Sequence, residues 1–235
     1  MSGSKASQAS ISLPLLGFTF TLAFCSIVYE LLLGQILSAF LGNTVLRYSV
    51  TIGLYMFSMG IGALIASPAL LRYPVLALQV IELILALLGS VSVLLLFLID
   101  STGSPPFVCS IIAHTLIIVI GILTGLEIPL LVELRADVEN APSRILGIDY
   151  IGAFVGTLAF ALWFYPQLGI FITAFATALL NAIVGILLPI YLRGQARFNS
   201  ALVVAQALAL IVLIIALTYN SQIEEFAIDL YINRS

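Results

Sequence analysis

Pro106-Phe107-Val108-Cys109-Ser110-Ile111-Ile112-Ala113-His114-Thr115-Leu116-Ile117-Ile118-Val119-Ile120-Gly121-Ile122-Leu123-Thr124-Gly125-Leu126-Glu127-Ile128-Pro129-Leu130-Leu131-Val132-Glu133-Leu134 holds no lysine or arginine, and its formal charge rests on Glu127 and Glu133. A helix needs about 20 apolar residues to cross a hydrocarbon core about 30 Å thick. This stretch exceeds that length, so it must tilt, kink or protrude. Six further apolar runs surround it. Together the seven cover approximately residues 12–41, 45–71, 75–99, 106–134, 144–166, 168–192 and 200–220. Turn chemistry marks the breaks: Gly42-Asn43, Arg72-Tyr73-Pro74, 100–106, 135–143, Pro166-Gln167 and 193–199. The expected fold is an all-α membrane protein, a bundle of seven transmembrane helices over 12–220. Residues 1–11 form an N-terminal tail and 221–235 a short amphipathic C-terminal tail.

Composition points the same way. Of 235 residues, 62% are hydrophobic and 8% are charged. A soluble domain is about 25% charged. So few charges cannot wet the surface of a folded chain, which excludes a soluble globular domain, a disordered chain and a nucleic-acid binder. The lipid bilayer is the partner that composition implies. Leu22-Ala23-Phe24-Cys25 faintly resembles a lipoprotein cleavage site, but Phe24 is bulky and the apolar run continues to Leu41. This reads as a retained first span. Cys25 and Cys109 read as small buried hydrophobes.

Seven crossings put the termini on opposite sides. Lys5, Arg72, Arg135, Arg144, Arg193 and Arg197 fall on one side, Arg47 and Arg234 on the other. The side rich in basic residues is cytoplasmic, which places the N-terminus in the cytoplasm and the C-terminus outside. Gly121/Gly125, Gly152/Gly156 and Gly62/Ala66 have the four-residue spacing that lets helix backbones approach closely.

The informative residues are acids within the spans: Glu82, Glu127, Asp149 and Glu30. Glu133 lies near a helix end and reaches water. An acid at the membrane centre costs at least about 2.5 kcal/mol on insertion scales, so it is paired, wetted or protonated. At 1.5 Å rise per residue, Glu82, Glu127 and Asp149 all lie roughly 8–12 Å inside their cytoplasmic ends. Glu30 stands apart, nearer the middle or outer half, with Gln35 a turn further out. Pro129 cannot donate to the Gly125 carbonyl, so a kink is expected beside Glu127. The short 135–143 loop should make the fourth and fifth spans antiparallel neighbours, with Asp149 facing Glu127. Carboxylates that close in a low dielectric must share a proton or a cation. Two readings stand. Arg72, Arg135, Arg144 and hydroxyl groups cap the acids for structure, or the acids face a cavity that takes a cation.

His114 lacks Cys or acid neighbours and reads as a hydrogen-bonded packing residue; no metal ligand set is expected. Trp163, Phe164 and Tyr165 sit where an aromatic belt would. Phosphate-binding glycine loops, nucleophile elbows and His-Glu-x-x-His are absent from the sequence, so no catalytic residue and no cofactor is assigned.

The chain resembles a known family through Val28-Tyr29-Glu30-Leu31-Leu32-Leu33-Gly34, Phe40-Leu41-Gly42-Asn43-Thr44-Val45-Leu46, Ser49-Val50-Thr51-Ile52-Gly53-Leu54, Met59-Gly60-Ile61-Gly62, Ile81-Glu82-Leu83, Glu127-Ile128-Pro129-Leu130-Leu131 and Leu146-Gly147-Ile148-Asp149-Tyr150-Ile151-Gly152-Ala153. Their order and spacing are similar to the multi-span N-terminal region of membrane-bound spermidine-synthase-like proteins, over about residues 13–232. That resemblance implies a soluble aminopropyltransferase domain following the spans. The chain stops about where that domain would begin, so no catalytic role is carried to any residue here. The expectations that follow are a non-catalytic subunit or scaffold working with other membrane subunits, a transport or sensing module for polyamines or another organic cation, or the membrane part of an aminopropyltransferase whose catalytic domain is separate. A weaker likeness to half of a major facilitator transporter lacks the acid expected in its loop, which here reads Ser67-Pro68-Ala69-Leu70-Leu71-Arg72.

Overall fold

The computed structural model describes residues 11–192 and 199–232. The expected N-terminal tail at 1–11 therefore lies almost wholly outside the described residues, as do Arg193, Arg197 and Arg234 of the charge count. The described residues form helices: α1 Leu13–Leu41, α2 Thr44–Leu64, α3 Pro68–Leu71, α4 Pro74–Ser101, α5 Pro106–Glu133, α6 Ala141–Ala159, α7 Gly169–Tyr191, α8 Ser200–Thr218 and α9 Asn220–Ile232. Between α6 and α7 a π-helical segment runs over Phe160–Leu168.

Five segments are long and apolar enough to cross a membrane: α1, α4, α5, α8 and a 51-residue stretch, Ala141–Tyr191, that holds both α6 and α7. The second expected run, 45–71, is divided. α2 ends at Leu64, and Ser67 caps the single turn of α3 by accepting from the Leu70 amide. Pro68 explains the restart, since proline is well placed in the first turn of a helix and disfavours helical backbone in the residue before it.

The breaks read at Gly42-Asn43, Arg72-Tyr73-Pro74, 100–106 and 135–143 fall at helix ends, whereas Pro166-Gln167 lies inside the π-helical segment, which ends only at Gly169, and 193–199 lies almost wholly outside the described residues. Asn43 adopts a left-handed backbone (φ 52°) and its side chain accepts from the Leu46 amide, capping α2. Gly169 has φ 75° and ends the π-helical segment. A left-handed residue there favours glycine, and it lets the chain reverse. Gly152 and Gly156 on α6 meet Phe20 and Phe24 of α1 in parallel order. On α7, Thr177 lies at Cys25 and Tyr191 at Phe18, the antiparallel order.

α1 is the centre of the bundle and packs on α2, α4, α5, α6 and α7. Tyr29 meets Gly89, and Phe40 meets Phe97, so α4 runs parallel to α1. α2 runs against it, with Tyr55 at Ser26 and Tyr48 at Gln35. The glycine spacings read from sequence are packing seams. A Cβ on Gly125 would collide with the Met59 main chain, and one on Gly62 with the Ile122 carbonyl. These seams bring α2 and α5 backbone to backbone. Large apolar side chains face outward, with Leu64 87% and Leu162 72% exposed. An apolar exterior of this kind suits hydrocarbon rather than water. α9 turns back over α4 and α7, with Ile223 packed on the core and Phe226 exposed.

Candidate functional site

The middle of α1 carries Cys25, Ser26, Tyr29 and Glu30, all buried. Four residues make a helical turn, so Cys25 and Tyr29 share one face, and Ser26 and Glu30 the next. Ser26 points to α2. The Tyr55 hydroxyl donates to the Ser26 carbonyl (3.0 Å) and lies 3.1 Å from the Ser26 hydroxyl. Thr124 of α5 donates to the same Tyr55 oxygen (3.2 Å). One phenol thus ties three helices together. The glycine seam between α2 and α5 makes this possible, because Gly121 leaves room beside Tyr55 and Ser58.

Cys25 and Tyr29 point to α4 and α7. The Cys25 thiol donates to the Thr177 carbonyl (3.7 Å). The Tyr29 ring lies on Gly89, where any Cβ would strike the phenol. Around these two residues stand the expected acids. Glu82 is 1% exposed and Glu127 4%. Glu82 and Asp149 lie within electrostatic reach of Glu127, and Glu82 and Glu127 within reach of Cys25 and Tyr29. Both carboxylate oxygens of Glu82 and the Tyr29 hydroxyl are buried without a hydrogen-bond partner among the described residues.

Glu82 and Glu127 thus share one neighbourhood with Cys25 and Tyr29. Asp149 is half-buried, within electrostatic reach of Glu127. Its helix, α6, runs chiefly along α1 and touches α5 slightly. A short loop did not dictate the main neighbour, because Gly152 and Gly156 give α6 a closer seat on α1. Glu30 is buried on the α1 face that carries Ser26, beside the hydroxyl cluster of Ser26 and Tyr55. Pro129 lies inside α5, one turn short of its end.

Arginine capping does not extend to Glu82. Arg135 pairs instead with Asp137 (2.9 Å), which holds that exposed carboxyl below its usual range by hydrogen bonding. The Arg72 guanidinium lies 5.6 Å above the Tyr73 ring. His114 is a packing residue, its Nδ1 2.6 Å from the Ser110 carbonyl. Further out, Gln35 donates to Tyr165 (2.6 Å) and accepts from Tyr48 (2.7 Å), joining α1, α2 and the π-helical segment. Tyr165 therefore serves as a link between helices as well as a belt residue. The tyrosines at 29 and 55 were the residues that sequence reasoning passed over. Their one signal was a hydroxyl within an apolar run close to Glu30 and Ser58.

No family model matches the chain, and no solved structure matches it. Curated relatives do. A polyamine aminopropyltransferase 2 of Ralstonia nicotianae is 35% identical over 191 residues, covering 78% of this chain and 36% of the relative. A polyamine aminopropyltransferase 1 of Streptomyces coelicolor is 36% identical over 202 residues, covering 84% and 37%. One from Leptospira interrogans is 39% identical over 160 residues, covering 67% and 31%. The chain spans about a third of the length of these relatives. By sequence, the bundle built around Tyr29, Glu82 and Glu127 is a relative of the N-terminal part of polyamine aminopropyltransferases.

Proposed function

We propose that the chain is a seven-span membrane module with its N-terminus in the cytoplasm, and that it binds an organic cation of the polyamine class in its core. It performs no group transfer itself and works as a subunit or scaffold of an aminopropyltransferase-related membrane system. The reversal at Gly169 supports two crossings within the 51-residue segment, and α2, antiparallel to α1, supplies the remaining one. The carrying observation is the Glu82 carboxylate, sealed in the bundle without a partner beside Glu127. Isolated buried charge is expensive, and a cation neutralises it. The name of the relatives suggests which cation.

Binding of 1,4-diaminobutane to the purified protein in detergent tests this reading. It should be lost in Glu82→Gln and Glu127→Gln. The absence of wild-type binding at concentrations on the order of 1 mM, a free energy of about 4 kcal/mol, would remove it. Cysteines placed at Gly103 and Glu139 test the topology. Labelling from outside at 103 with protection at 139 is expected, and the inverted pattern overturns the orientation. Recovery from native membranes together with other membrane proteins is expected of a subunit, and recovery as a lone monomer speaks against it.

A further inference from the structure

The acids leave a second set of buried polar side chains unused. Gln79 on α4, Asn181 on α7 and Gln206 on α8 are 0%, 1% and 0% exposed. Gln206 Nε2 donates to the main-chain carbonyl of Gln79 (3.1 Å) and so ties α8 to α4. Gly185 makes room for it, since a Cβ there would land on the Gln206 carboxamide. Asn181 precedes Gly185 by one turn, on the same face of α7. α4 and α7 pack along one another. Gln79 and Gln206 therefore meet where α8 crosses the α4–α7 interface, and Asn181 lies one helical turn along α7 from the glycine that seats Gln206.

With that hydrogen bond counted, Gln79 Oε1, Asn181 Oδ1 and Gln206 Oε1 are buried acceptors without a donor. The matching orphan donor in the group is Gln79 Nε2. A water molecule could donate to two of the acceptors and accept from Gln79 Nε2, which leaves one acceptor over. A guest that offers positive charge and no lone pair suits three acceptors better. Divalent ions prefer carboxylate ligands, and this cluster is neutral. Glu82 follows Gln79 by three residues on the same face of α4, which sets a negative charge nearby.

The geometry points to a neutral carboxamide cradle, Gln79–Asn181–Gln206, that binds a compact monovalent cation beside Glu82, either the ammonium end of an amine or an alkali-metal ion. The cradle rests on the cation reading above and lies on the side of Glu82 nearer the start of α4 and the end of α7. It gives the bundle a second station, where a cation is held by oxygen dipoles before or after the carboxylate holds it by charge.

The test uses the full chain in lipid nanodiscs. 1,4-Diaminobutane is titrated calorimetrically into wild type, Gln206→Met, Asn181→Leu and Glu82→Gln. Methionine and leucine fill the space without acceptor oxygens. Each cradle variant should weaken the amine by about tenfold or more, since a hydrogen bond to a charged group is lost, whereas Glu82→Gln should abolish binding. In parallel, thermal melting is compared in sodium chloride and choline chloride. A sodium-specific rise in Tm that disappears in Gln206→Met identifies the alkali ion as the guest and equally supports the cradle. Unchanged amine affinity in both cradle variants, with no sodium-specific shift, overturns the cradle. If Glu82→Gln still abolishes binding in that case, the cation reading survives it. Failure of wild type to bind either cation overturns both. Should one cradle variant fail to give monodisperse protein, the other, on a different helix, carries the same test.

Discussion

The α2–α5 seam and the α4–α7–α8 region are equally buried and treat their polar groups in opposite ways. At the seam, Tyr55, Ser26 and Thr124 satisfy one another, and glycines bring the backbones together. In the second region, Glu82, Gln79, Asn181 and Gln206 retain unpartnered atoms. In hydrocarbon, where water cannot repair an orphaned group, a paired network stabilises and an unpaired one costs free energy. The first region has the character of a fastening. The second leaves those atoms unfastened.

The contrast can be broken by substitution. Gly125→Leu should have the largest effect. Its side chain would run into the Met59 main chain, and forced overpacking costs about 3 kcal/mol. Loss of monodisperse protein on size-exclusion chromatography would show it. Tyr55→Phe should come next. It leaves the Ser26 carbonyl and the Thr124 hydroxyl without their shared partner, a cost of about 2 kcal/mol. A lower Tm in nanodiscs is the readout, and an unchanged Tm would remove the distinction between the two regions.

Glu82→Gln should act in the other direction. It removes a buried carboxyl that has no hydrogen-bond partner, so the Tm without ligand should rise or hold, by about 1 kcal/mol at most, while cation binding is lost. A fall comparable to that of Tyr55→Phe would mean that Glu82 is fastened too. Asp137→Asn should do least, because the Arg135–Asp137 pair is solvated at the rim and exposed pairs contribute little. Its sign is nonetheless defined. Pairing lowers the folded-state pKa of Asp137, so any stability it adds is present above the ordinary carboxylate range and is lost as pH falls through the depressed value. A Tm profile against pH that lies slightly below wild type at neutral pH and converges on it in acid checks this.

Much of the helix layout was legible in the residues. Uninterrupted apolar length sets where helices run, and Gly42-Asn43, Pro74, Pro106 and Gly169 mark their ends because few residues tolerate those backbones. The break after Leu64 was less visible, since Ser67-Pro68 lies in a stretch still apolar on both sides. The glycine pairs also read correctly as seams, because four-residue spacing puts both members on one helix face. The acids could be singled out by cost alone, as charge in an apolar run demands an explanation.

Composition and periodicity thus determined that this chain is helical, that hydrocarbon suits its exterior, and that Glu82, Glu127, Asp149 and Glu30 are its unusual residues. These follow from local rules, charge against apolar length. Tertiary structure alone decided that Tyr55 closes a satisfied network while Tyr29 and Glu82 are left open. It also decided that α6 lies along α1, and that Gln79 and Gln206, more than half of the chain apart, meet over Gly185. Whether a buried polar atom has a partner depends on which helices are neighbours and how they are turned. Residues far apart in sequence settle that together, so no single run discloses it.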